Sequence, residues 1–135
     1  MKRILFLFSL MVAGNAGFAQ GQDGYTLGTT SGNVDCYYSI TNCNGKTVVL
    51  LRFDNKNTSP VTMAWKEAFT TKQVPKSMPG HLNKQITLAP GVSSALNCED
   101  MSHREYIIGE ADVNQTYRAD ITGFKFGEVS VKPAR

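Results

Sequence analysis

The chain has 135 residues, 41% hydrophobic and 19% charged, with 14 basic side chains against 11 acidic. Lys2 and Arg3 belong to an N-terminal leader, and the other basic residues are scattered, so composition excludes the clustered positive footprint of a nucleic-acid binder. Past that leader no run is apolar enough to span a bilayer, so no membrane insertion is expected and the length suits one domain.

The leader reads MKRILFLFSLMVAGNAGFAQ. Lys2 and Arg3 precede an apolar stretch, Ile4 to Ala13, too short to cross a membrane, and Gly17 and Ala19 supply the small residues of a cleavage site before Gln20. Residues 1–19 are therefore expected to be a signal peptide, and the mature protein to be secreted or periplasmic. No Cys follows the apolar stretch, which argues against a lipid-anchored form.

Residues 20–33 are rich in Gly, Thr and Ser. They read as a loose N-terminal segment with one edge strand around Tyr25–Leu27, ahead of a domain covering 34–135. In VDCYYSITNCNGKTVVLLRFD, Asn44-Gly45 is a type I′ hairpin signal, because both residues accept positive φ. That turn sets Cys43 opposite Lys46, Ile40 opposite Val49, Tyr38 opposite Leu51 and Cys36 opposite Phe53. One face then carries Val34, Cys36, Tyr38, Ile40, Val49, Leu51 and Phe53, an apolar face on both strands at once.

LRFDNKNTSPVTMAW places a polar knot between two apolar runs. A calcium loop starting at Asp54 would need an oxygen ligand where Lys56 stands, Gly where Ser59 stands and Glu where Trp65 stands. All three positions fail, and Asn, Asp and Ser with Pro60 suit a strand connection instead. Val61, Met63, Trp65 and Phe69 then alternate with Thr62, Ala64 and Lys66, so Trp65 is expected in the core rather than as a sugar-stacking platform. After Phe69, TTKQVPKSMPGH reads as a long loop or edge excursion. Further strands are expected at Asn83–Leu88, with Ile86 and Leu88 inward, at Val92–Leu96 after a Pro90-Gly91 turn, and in the short apolar run Tyr106–Ile108. Tyr117–Val131 reads as two linked strands or one bulged strand, broken by Gly123 and Gly127.

About seven short strands with turn signals between them predict an all-β, antiparallel sandwich. LRFDNKNTSPVTMAW followed by ITLAPGVSS resembles the immunoglobulin-like sandwiches of secreted and periplasmic bacterial proteins, and the Ala19-Gln20 junction resembles that of exported Bacteroidota proteins. The likeness covers residues 35–96 and implies a fold, with no activity attached to it.

Motifs for nucleophilic hydrolases, zinc peptidases, dithiol oxidoreductases and nucleotide-binding loops are missing from the sequence. Cys98, Glu99, Asp100, Met101 and His103 bring soft and borderline metal ligands into one loop, but no pair has a recognised ligand spacing, and a polar turn explains them more simply. Asn57-Thr58-Ser59 and Asn114-Gln115-Thr116 are glycosylation sequons that matter only in a eukaryotic secretory host.

Cys36, Cys43 and Cys98 are the three cysteines. Cys36 and Cys43 lie about 23 Å apart if both belong to one extended strand, well beyond disulfide reach. Cys43 and Cys98 each sit at a strand end beside turn residues, so the expected bond is Cys43–Cys98 with Cys36 buried and free. Cys36–Cys98 across two sheets, or Cys36–Cys43 around a broken strand, are the alternatives. Tyr37, Val48, Leu50 and Arg52 share the other face of the hairpin; it is expected to be covered by loops, or else to form an apolar contact patch.

The function expected from the sequence is an exported, non-enzymatic binding or structural module for an unidentified protein or glycan, with no cofactor. The alternative is a small copper- or zinc-handling protein, or a hydrolase, with a site built from loops 70–83 and 97–104.

Overall fold

The computed structural model describes residues 20–21, 24–109, 112–113 and 120–135. The leader and the Asn114 sequon lie outside the described residues. The strands are β1 (Gln20–Gly21), β2 (Tyr25–Ser31), β3 (Val34–Cys43), β4 (Lys46–Asn55), β5 (Val61–Thr71), β6 (Met78–Leu88), β7 (Gly91–Ser94), β8 (Ile107–Ile108) and β9 (Ile121–Pro133). A 3-10 helix, Met101–Tyr106, leads into β8. Sheet A has the order β1-β2-β3-β4, with β7 and β8 sharing the far edge of β4; sheet B is β6-β5-β9. All pairings are antiparallel, so the fold is an all-β sandwich.

The β3–β4 hairpin has the register set by its turn. Ile40 faces Val49, Tyr38 faces Leu51 and Cys36 faces Phe53. Asn44 and Gly45 have φ of 53° and 80°, the left-handed backbone of a type I′ turn. Val34, Cys36, Val49, Leu51 and Phe53 are fully buried. They meet Val61, Met63, Trp65, Phe69 and Leu88 of sheet B. Phe53 is the hub, with ring centroids 5.4 Å from Trp65 and 6.0 Å from both Tyr106 and Phe126. These offsets and tilts are the arrangement that aromatic rings favour in a packed core.

Three elements differ from the sequence reading. Residues 25–31 form a full strand on β3 rather than a short edge fragment, because Thr26, Leu27, Thr29, Thr30 and Ser31 all find ladder partners. The Pro-containing segment before Asn83 is largely β6, whose Met78 and Pro79 pair with Phe69 and Ala68. Proline is tolerated there because β6 is an edge strand of sheet B. β7 ends at Ser94, before Leu96. Residues 121–133 form one strand with register shifts against β5, of which one lies between Ala64 and Lys66. Glu128 beside it has φ of 46°, so the bulge rather than a turn absorbs the irregularity.

Candidate functional site

The polar knot after β4 is a structural tie. Asn55 is 2% exposed. Its amide nitrogen donates to the carbonyls of Leu88 (3.1 Å) and Ser59 (3.3 Å), and its Oδ1 accepts from the backbone N–H of Asn57 (3.0 Å). Asn57 Nδ2 donates to the Gly32 carbonyl at 2.8 Å, and Lys56 pairs with Asp35 at 2.6 Å. The amides and ions that a metal loop would need are therefore spent fastening the crossover from sheet A to sheet B.

Cys43 and Cys98 form the disulfide, with Cα atoms 6.0 Å apart. It fixes the hairpin tip to the segment after β7. Asn44 and Glu99 hydrogen-bond beside it. Asp100 accepts from the N–H groups of Leu96 (2.9 Å) and Ser102 (3.1 Å), and its Oδ2 lies 2.9 Å from His103 Nδ1. Those bonds, the Leu96 amide foremost, hold the Asp100 carboxyl below its ordinary range. The loop that offered metal ligands thus uses Cys98 in a disulfide and Asp100 as a helix cap. Among the described residues no three His, Cys, Asp or Glu side chains are grouped to hold a metal ion. Cys36 is free and buried, its Sγ 3.6 Å from Met63 Sδ; burial pushes the thiol up to about 12, which keeps it unreactive.

Tyr37, Val48, Leu50 and Arg52 come together on the outer face of sheet A, each half-buried. Tyr37 is directly opposite Arg52 and Leu27 opposite Tyr37, so one row runs Leu27-Tyr37-Arg52 across three strands. The Arg52 guanidinium lies 6.0 Å from the Tyr37 ring centroid and 5.7 Å from that of Tyr25. Leu50 is flanked by Ser39 and by Ile107 of β8. Tyr25 and Leu27 were read as an edge strand but not as part of this patch, because the segment around them read as loose. Their alternation, with the positions between them exposed, is the signal that could have found them.

A second cluster escaped sequence reasoning. Glu67 continues the inward set Val61, Met63, Trp65 of β5 and is 2% exposed. Its two carboxylate oxygens and the indole nitrogen of Trp65 are buried without a hydrogen-bond partner of proper geometry. Lys84 faces inward too, because it pairs with Trp65. It forms an ion pair with Asp112, the two side chains being 24% and 13% exposed. Asp112 is delivered by a bridge between Gly80 of β6 and Val113, and its Oδ2 accepts from the Gly109 N–H at 3.1 Å. Burial raises the Glu67 carboxyl to about 7, with Asp112 adding to the rise and Lys84 opposing it.

No protein-family model, curated protein or solved structure matches the chain.

Proposed function

We propose that the chain is an exported, non-enzymatic binding module that docks a protein partner through the outer face of sheet A. The observation that supports this is the Tyr25–Arg52–Tyr37 array beside Leu27, Leu50 and Val48. Tyrosine and arginine are the residues that concentrate binding energy at protein interfaces, and apolar neighbours exclude water around them. A guanidinium already lies over both rings, on the surfaces a sugar would stack against, which favours a protein over a glycan. Export is supported by the leader and by the Cys43–Cys98 disulfide. The immunoglobulin-like resemblance is compatible with the two-sheet arrangement and carries no activity.

Photo-cross-linking in the exporting cell tests the docking face. A cross-linker at Leu50 should capture one defined protein, and one at Lys125, exposed on sheet B, should capture none. Equal capture from both positions would overturn the assignment. Retention on a glycan array that is lost in Tyr37→Ala would replace the protein partner by a sugar.

A further inference from the structure

Lys84 and Asp112 stand far apart in the chain and meet at the β6 edge of the sandwich, near the buried Glu67 carboxyl. We propose that they condense into an intramolecular isopeptide bond, Lys84 Nζ to Asp112 Cγ, with Glu67 carrying the proton between them.

The placement is built by the fold. Trp65 sets Lys84 inward across the β5–β6 ladder, and the unbroken alternation of β5 turns Glu67 to the same inner side. The Gly80–Val113 bridge brings Asp112 alongside β6. Gly80 leaves the room required: a Cβ there would sit 3.0 Å from the Phe69 ring, 3.3 Å from Glu67 Cβ and 3.4 Å from the Asp112 carbonyl oxygen. Trp65 opposite Lys84, Phe69 beside Gly80 and Val113 next to Asp112 are all buried, while Lys84 and Asp112 are 24% and 13% exposed.

The step balances without a co-reactant. A proton passes from the Lys84 ammonium to Asp112 Oδ1 across their contact. The freed lone pair on Nζ forms a bond to Cγ, and the carbonyl pair moves onto Oδ2, where the Gly109 N–H holds it. Glu67 gives its proton to the Oδ1 hydroxyl, which leaves as water, and recovers one from Nζ. The products are a neutral secondary amide, one water and Glu67 as it began. Burial keeps Glu67 protonated up to about pH 7, so a proton is available to give. Fixed proximity replaces the encounter of two free reactants, and condensation removes both charges from apolar surroundings where an ion pair is costly.

Peptide mapping of the purified protein, after reduction of the disulfide, tests this. Trypsin should fail to cut after Lys84, and the peptides 77–104 and 105–118 should travel as one linked species lighter than their sum by one water. Lys84→Arg should be cut at position 84 and give 77–84, 85–104 and 105–118 separately at full mass. Glu67→Gln, checked for an intact Cys43–Cys98 bond and a cooperative melt, should also give them separately. Cleavage after Lys84 with 105–118 free in the unmodified protein would overturn the bond. A linked pair in folded Glu67→Gln would overturn the role of Glu67.

Discussion

Sheet A has an apolar inner face and half-buried aromatic and aliphatic side chains on its outer face; sheet B has a polar outer face and two ionisable side chains on its inner one. Sheet A turns Val34, Cys36, Leu51 and Phe53 inward and Leu27, Tyr37, Leu50 and Arg52 outward. Sheet B exposes Lys66, Asn83, Gln85, Thr87 and Lys125, yet admits Glu67 and Lys84 to its inner side. Two sheets that need only one shared core should both be apolar inside and polar outside. Each departs from that rule once, and in opposite senses. Half-buried aromatic and aliphatic side chains outside sheet A are best explained by something that covers them. Charged side chains inside sheet B are best explained by chemistry among themselves, because burying them stabilises nothing unless they are neutralised.

The largest test of this contrast removes a ring from each side. Trp65→Ala should cost about 3–5 kcal/mol, since the indole is 3% exposed and stacks 5.4 Å from Phe53. Tyr37→Ala should cost much less in stability while weakening partner capture. Urea unfolding of both variants checks it, and equal losses would erase the distinction between the two faces.

The disulfide staples only the sheet A side. Cys43→Ser should lower stability by about 4 kcal/mol, the loop-closure value for a sequence separation of 55. Cys36→Ala should instead act through the small cavity it leaves, and native Cys36 should resist alkylation because it is buried with its thiol raised to about 12. Rapid labelling of native Cys36 would contradict the packing described.

Glu67 gives sheet B a pH dependence of opposite sign to that of Asp35 in sheet A, whose carboxyl is lowered by the hydrogen bond it accepts from Lys56. The folded value of Glu67 is raised from 4.5 to about 7, so the folded state holds a proton that the unfolded state has lost. The stabilisation is full below about pH 4.5 and is lost as pH rises to about 7, amounting to about 3 kcal/mol. Denaturant midpoints measured from pH 4.5 to 8 should fall in the unmodified protein. Glu67→Gln should flatten that fall, and an unchanged slope in the variant would assign it to another group.

Much of sheet A was legible because its signals are local. An Asn-Gly turn fixes register, and register with period-two apolarity fixes which side chains face in. The Cys43–Cys98 bond was the pairing favoured by the same register, which puts Cys36 mid-strand and Cys43 at a strand end, although the two other pairings stayed open until the structure showed it. Glu67 and Lys84 were hidden for the converse reason. The β5 alternation was read as apolar positions, and a carboxylate at an inward position breaks that pattern instead of announcing itself. Asp112 meets Lys84 through a bridge at Gly80, a long-range pairing with no local mark. Of β2 only the start, Tyr25–Leu27, was legible; its extension to Ser31 was missed because weak strand propensity in a Gly- and Thr-rich stretch is overridden by pairing to β3.

The smallest effect concerns the outer faces. Arg52 contacts Tyr25 and Tyr37 with its planar guanidinium, at 5.7 and 6.0 Å from the ring centroids. Both contacts are half-exposed, so each adds modestly, and Arg52→Ala should cost about 1 kcal/mol in total. Arg52→Lys keeps the charge but loses the flat group that lies over the rings, so it should recover only part of that loss. Lys125→Ala on sheet B should change stability by less than about 0.5 kcal/mol, the ordinary response of a solvated position. Urea midpoints with constant m-values separate these cases. If Arg52→Lys is neutral, the attraction is charge alone. If Arg52→Ala matches Lys125→Ala, the outer face of sheet A has no preformed array, and the docking assignment loses its anchor.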